Sequence, residues 1–408
     1  MRYASFRRSY IFWFLTVWLI LSVVGPASAA TKLKTLHAFQ GGTADGGYAY
    51  GPLVIDKRGD LYGITEDGGS TNCGGYGCGV AFKLTPGTGP WKEKVFYALA
   101  PNAEGYASQN SAMIADNKGN FFGTDAYNDG DVYELSEAGG VWTQNIIHTF
   151  TNSPDGQGPN GGLVRDSSGN LYGVTTNGGA NGSGAVFQLS PSSGGAWTES
   201  IIYSFNDSNY GPSGPYGPLA IDASGNLYGT TVEGGTYGWG TAYKLSSSSG
   251  TWEETTLYNF TLNYSAYVNP QGVVFDTEGN LYGVTLYDGE YGLGTIYKLT
   301  PTQGFWNKTV LHTFTGGSDG GNPYGGITID SAGNLYGPSY AGGTYGYGTI
   351  YKFVPSGSGG IFSVMYTFRG GNDGKNPAFP LTLDSSGNLY GVSYGGAYNY
   401  GTVFEITP

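Results

Sequence analysis

Apolar and polar positions alternate in short runs along most of the chain, and the runs come in groups of four. One group opens with Gly217-Pro218-Leu219-Ala220-Ile221-Asp222, passes through Ala223-Ser224-Gly225-Asn226, and continues as Leu227-Tyr228-Gly229-Thr230-Thr231. A Gly/Tyr stretch leads to Gly240-Thr241-Ala242-Tyr243-Lys244-Leu245. A Ser/Gly turn then leads to a run from Trp252 through Leu257 and Tyr258 to Phe260. Period-two alternation rich in β-branched and aromatic residues predicts strands. Asp followed by a Gly three residues later predicts a tight turn between the first two, with Gly taking the left-handed conformation. Beyond the N-terminal segment, no stretch carries the period of a long amphipathic helix.

The group repeats. Its phrase Asp-x-x-Gly-Asn-Leu-Tyr-Gly places Asn, or Asp in the first copy, at Asp60, Asn120, Asn170, Asn226, Asn280, Asn334 and Asn388, in steps of 60, 50, 56, 54, 54 and 54 residues. Four antiparallel strands taken seven times predict an all-β, seven-bladed β-propeller. The last copy stops at Pro408, after its third strand. Lys32-Leu33-Lys34-Thr35-Leu36-His37-Ala38-Phe39 matches fourth strands such as Thr309-Val310-Leu311-His312-Thr313-Phe314. The N-terminal strand is therefore expected to complete the last blade and close the ring, which removes a sheet edge. A monomer is expected.

Ahead of the first strand, Arg2, Arg7 and Arg8 precede an apolar run from Ile11 to about Gly25, and Pro26-Ala27-Ser28-Ala29 offers small residues for cleavage. This is the layout of a secretory signal peptide over residues 1–29, leaving residues 30–408 as one propeller domain. The apolar run is short of the ~20 residues of a spanning helix, so no membrane span is expected after cleavage. Three of the 18 Lys+Arg lie in the segment, which leaves 15 against 30 Asp+Glu, a net charge near −15. That balance argues against nucleic acid and anionic membrane surfaces. Gly accounts for 74 of 408 residues, against 12% charged and 15% aromatic. The aromatics exclude a disordered chain and the lack of a three-residue Gly period excludes collagen. Cys73 and Cys78, separated by glycines, are expected to form a disulfide in an exported protein. A two-thiolate metal site is the alternative, without a nearby His.

The combined unit resembles a known family. Phe314-Thr315-Gly316-Gly317-Ser318-Asp319-Gly320, then Asn322-Pro323-Tyr324, then Asp330 with Gly333-Asn334-Leu335-Tyr336-Gly337, then Gly348-Thr349-Ile350-Tyr351 is similar to the GloVer tandem repeat. That family comprises exported bacterial repeat proteins, often with a C-terminal sorting anchor. The resemblance implies export and lends no catalytic residues. The sequence ends at Pro408 without such a tail, so release or non-covalent retention is expected.

Comparing copies with one another separates scaffold from candidate chemistry. His37, His148 and His312 stand where other copies place Tyr97, Tyr203, Tyr258 and Tyr366, so they are expected to pack in the blade. Asp56, Asp116, Asp166, Asp222, Asp276, Asp330 and Asp384 each begin the same turn and are expected to cap it. Trp91, Trp142, Trp197, Trp252 and Trp306 recur at one position and are expected to pack the outer strand. The loops after strand two and between blades are long, rich in Gly, Tyr, Asn and Asp, and belong to one face. Function is expected there. Tyr50, Asn160, Tyr216, Gln271, Tyr324 and Phe379 precede or begin first strands and are expected at the mouth of the central channel. The second copy departs most, with Phe121-Phe122 for Leu-Tyr, Gln109 and Asn110 at its entrance, and a short loop containing Asp125, Asn128 and Asp129. It is the expected asymmetric site. No cofactor is expected. Asp45, Asp155, Asp319 and Asp373 recur in Asp-Gly loops and leave Ca²⁺ open, although the spacing is not that of a helix-loop-helix site. The function expected is an extracellular binding module for a glycan or surface protein. The alternatives are a polysaccharide lyase or glycosidase, which needs converging acids, and a purely structural envelope protein.

Overall fold

The computed structural model describes residues 31–408 except 71, 72, 74, 101–111, 128 and 263–266. The predicted signal segment, Gln109, Asn110 and Asn128 lie outside the described residues. Among the described residues no helix is long and apolar enough to cross a membrane.

Seven four-stranded antiparallel sheets form the blades of a seven-bladed β-propeller. The fourth blade shows the plan: Pro212–Ile221 innermost, then Leu227–Gly234, Thr241–Ser248 and Thr251–Asn259. The seventh blade is built from both ends of the domain. Lys32–Ala38 pairs with Thr402–Thr407, Leu33 opposite Ile406 and Ala38 opposite Thr402, outside Leu389–Ser393 and Thr382–Leu383. The ring is closed by the N-terminal strand, as the repeat required.

The repeated phrase is explained by its turn. Asp222 Oδ1 accepts the N–H groups of Ser224 and Asn226 at 2.8 and 2.9 Å, and Oδ2 accepts Asn226 Nδ2 at 2.7 Å and the Tyr228 hydroxyl at 3.2 Å. One carboxylate thus satisfies four donors, and the same pattern recurs at Asp166, Asp276, Asp330 and Asp384. These bonds hold the carboxyls of Asp222, Asp276, Asp330 and Asp384 below the usual range against the opposing effect of burial. In the first copy Asp60 replaces Asn, and Lys83 compensates with a 2.5 Å ion pair. The glycine of Leu-Tyr-Gly serves packing. A Cβ on Gly229 would lie 2.5 Å from the hydroxyl of Tyr243, its cross-strand partner. Phe82, Phe187 and Phe404 press on the equivalent glycines.

The core lies between blades. Seven clusters of buried side chains each join two neighbouring sheets. Outer-strand tryptophans reach the preceding blade: Trp142 lies 4.6 Å from Phe96 and Trp197 5.5 Å from Phe122, ring centre to ring centre. The first strands of blades one, three and four are longer than the short run predicted. They begin at Gly47, Gly156 and Pro212, because residues leading from the inter-blade loop also pair with strand two.

Candidate functional site

In blades one, three and four the first strand shifts register after Tyr50, Asn160 and Tyr216. Glycine follows at each shift, as Gly51, Gly161 and Gly217. Gly217 has φ +81°, and a Cβ on Gly161 would meet the Gly217 carbonyl of the next blade, so neighbouring first strands touch backbone to backbone. Above this constriction the channel opens into a recess of about 230 Å³. Its wall includes Tyr50, Asn160, Tyr216, Gln271, Tyr324 and Phe379, all six residues expected at the channel mouth.

The recess combines ring faces with amides. Tyr50 and Phe379 rings lie 4.4 Å apart. The Tyr216 and Tyr324 hydroxyls lie 2.9 Å apart, joining the fourth and sixth blades across the channel. Gln271 Nε2 donates to Asn269 Oδ1 at 2.7 Å, and its Oε1 accepts Gly325 N–H at 3.4 Å. Burial pushes the Tyr50 hydroxyl up to about 12, and burial with the Tyr324 neighbour pushes Tyr216 higher still. These phenols are neutral hydrogen-bonding groups at any physiological pH.

Tyr50, Tyr324 and Phe379 also begin a second groove, which continues past Leu286, Tyr287, Asn322, Tyr340 and Tyr394. Tyr394 lies 6.4 Å from Tyr340 and 6.5 Å from Tyr48. Sequence reasoning did not single out Tyr340 or Tyr394. Both follow the last residue of strand two, where the first blade has Glu66. Burial, with Asp67 nearby, pushes the Glu66 carboxyl up to about 7, and its charge bears on Tyr50 and Tyr394. Aligning that one position across copies is the signal that finds all three.

The second copy's candidates are placed differently. Asp125 is 3% exposed and its Oδ1 accepts the Tyr127 N–H at 2.9 Å, so it is turned into the blade. Asp129 accepts Gln157 Nε2 at 2.9 Å in the loop beside Pro159. Neither lines the recess, although Ala126 between them does.

The Asp-Gly loops hold a clamp. Asp155 Oδ2 accepts Thr151 N–H at 3.1 Å and faces His148 Nε2 at 3.3 Å. Asp319 does the same with Thr315 and His312, and Asp45 with Gln40 and His37. At the next inter-blade loop Tyr366 replaces His, donating to Asp373 at 2.7 Å while Arg369 N–H is held at 3.0 Å. A phenol does the same work, so the clamp is architectural. The histidines pack edge-on against the following Phe, 4.6 Å for His148 and Phe150. Glu199 joins His148 and Asp155 with ligand-type atoms within 4.8 Å of one another. Cys73 and Cys78 are joined in a disulfide and sit buried against Leu99 and Met113.

A closed propeller whose long-loop face opens into an aromatic and amide recess is thus the class of protein defined here. The chain matches the Gloeobacter/Verrucomicrobia repeat over residues 72–268 and 214–408, and it belongs to that family. No curated protein matches it. Among solved structures it is similar to the extracellular domain of a candidate one-component system from B. thetaiotaomicron, at 9% identity, a TM-score of 0.55 and 91% of this chain. It is also similar to a Mycobacterium tuberculosis puromycin-hydrolyzing peptidase, at 12% identity, a TM-score of 0.53 and 85% of this chain. It spans only 40% and 49% of those chains, and the likeness is one of fold.

Proposed function

We propose that the protein is an exported binding module that takes an extracellular glycan on its long-loop face. The observation that carries the reading is a pair of adjoining recesses that share Tyr50, Tyr324 and Phe379, one lined also by Gln271 and Asn160 and the other by Tyr340, Tyr394 and Asn322. Aromatic faces stack on the apolar faces of sugar rings, and fixed amides and phenols supply hydrogen bonds to hydroxyls. The disulfide and the signal-like N-terminus support an oxidising, exported setting. Among the described residues the lining of the recess and groove contains no Asp or Glu, so a glycosidase or lyase finds no pair of acids there.

The test is a glycan array with the purified protein, followed by calorimetry on hits with the wild type and with Tyr394→Ala and Tyr324→Phe. Saturable binding, weakened at least tenfold by Tyr394→Ala and without turnover of the hit, is the expected result. Absence of binding to every glycan, with capture of a surface protein by the same face, would replace the sugar by a protein partner. Product formation would restore the enzyme.

A further inference from the structure

Four blades share a buried hydroxyl pair where strand two ends and strand three begins. Thr231 and Thr241 Oγ1 lie 3.0 Å apart, Thr285 and Thr295 2.7 Å, Ser339 and Thr349 2.8 Å, and Ser393 and Thr402 2.8 Å. Such a pair satisfies itself, one hydroxyl donating and the other accepting. The first and third blades keep a single hydroxyl, Thr65 beside Val80 and Thr175 opposite Ala185.

The second blade is different. There Asp125, ending Phe121–Asp125, lies in register opposite Asp131, beginning Asp131–Ala138. Directly opposed residues of an antiparallel ladder have Cβ atoms about 4.5–5.5 Å apart on one face. Both side chains are buried, at 3% and 2% exposure. Two carboxylates cannot reproduce the hydroxyl pair, because both only accept.

The loop offers Asp125 a donor where the sister loops offer an acceptor. Thr231 donates to the Glu233 carbonyl at 2.9 Å and Thr65 to the Asp67 carbonyl at 2.7 Å. Asp125 instead receives an N–H, that of Tyr127. The loop is shorter as well, with Asp125 and Asp131 six residues apart against ten for Thr231 and Thr241. Asp131 Oδ1 is fully buried and has no hydrogen-bond partner. Among the described residues no Lys, Arg or His pairs with Asp131. An unmatched buried carboxylate oxygen facing a second carboxylate calls for a positive charge between them.

We propose that Asp125 and Asp131 bind a hard divalent cation, Ca²⁺ foremost, inside the second blade. An all-oxygen donor pair suits Ca²⁺ or Mg²⁺ and not a thiophilic or imidazole-preferring metal. Two carboxylates neutralise its charge, and water completes a flexible oxygen shell. The site lies behind the recess: Ala126 and Pro159 line that recess, and Pro159 packs on Gly130 beside Asp131. A bound ion would therefore fix this stretch of its wall.

The purified protein is stripped with chelator, then titrated with Ca²⁺ by calorimetry and followed by thermal melting. One saturable Ca²⁺ per chain and a melting temperature that rises with Ca²⁺ are expected. Asp131→Asn should weaken binding at least tenfold. The double variant Asp125→Thr/Asp131→Thr restores the hydroxyl pair of the fourth blade, and its melt should not respond to Ca²⁺. The proposal is overturned if neither Ca²⁺ nor Mg²⁺ alters the wild-type melt and neither binds, which would leave a shared proton between the two acids. It is equally overturned if Asp131→Asn keeps the wild-type Ca²⁺ affinity.

Discussion

Raising the pH from 5 to 8 should destabilise the ring through two outer-strand glutamates. Glu93 and Glu199 occupy the same ladder position in the first and third blades, opposite Leu84 and Leu189. Each has a buried Oε1 without a hydrogen-bond partner. Burial pushes both carboxyls from 4.5 up to about 7, reinforced by Asp45 for Glu93, where His37 opposes it, and by Asp155 for Glu199. Between pH 4.5 and 7 the folded chain therefore holds protons that the unfolded chain has lost. Stability falls as pH rises through that window, and the penalty is complete above it. The rise from 4.5 to about 7 corresponds to an upper limit of about 3.4 kcal/mol per group. Water reaches both partly exposed side chains, so about 1–2 kcal/mol each is the working figure. For a domain this large that is a fall of roughly 3–6 °C in melting temperature for the pair. Glu93→Gln and Glu199→Gln remove the charge, and the second blade already carries Gln144 at this position, accepting the Ala100 N–H at 2.9 Å. Melting curves at pH 5 and pH 8 should show the Gln variants matching the wild type at pH 5 and exceeding it at pH 8. His312, held below its ordinary value by burial, works in the opposite direction, but it is common to all three proteins. A gain of equal size at both pH values would refute the reasoning.

Two further outcomes follow from the blade plan. Tyr133, Tyr243, Tyr297 and Tyr351 bury hydroxyls without partners where sister blades have Phe82, Phe187 and Phe404, so Tyr297→Phe should be neutral or stabilise by about 1 kcal/mol; denaturant unfolding that shows a loss above that size would contradict it. Phe39 is fully buried, donates its N–H to the Gly401 carbonyl and packs edge-on against Phe82 at 5.2 Å, so it ties the seventh blade to the first. Phe39→Ala should cost about 3–5 kcal/mol and expose Lys32–Ala38 to proteolysis before other strands, as read by limited digestion and mass spectrometry.

Residues that recur were legible because each solves the same local problem in every blade. Asp222 caps a turn, Tyr243 needs Gly229 opposite it, and Phe39 is recognisable from Phe314. The mouth residues were legible for a related reason: each stands five or six residues ahead of its blade's turn Asp, which fixes its height on the axis, and Tyr216 and Tyr324 meet there at 2.9 Å. Tyr394, Tyr340 and Glu66 were not found, because a residue just past strand two can turn to the channel or to solvent, and only packing decides which. The extent of the first strands was equally hidden. Pairing of Pro212 with Gly234 depends on where the inter-blade loop folds, and no periodicity marks it.

Asp131 shows most clearly what a repeat conceals. Read along the chain it is one acid among 30 Asp+Glu in an acidic protein. Read across the blades it stands where the last four copies have Thr, buried and in register with a second acid. Four blades satisfy the oxygens at this position with the same hydroxyl pair, which leaves little reason for a lone copy to abandon the solution. Single carboxylates do appear elsewhere as replacements, and there the partner is present: Asp60 takes Lys83, and Asp288 takes Lys308 at 2.7 Å. Among the described residues Asp131 has no such cation, which leaves a proton or an ion from solution as the compensating charge. The loop argues for the ion, since it gives Asp125 the Tyr127 N–H where Thr231 finds the Glu233 carbonyl.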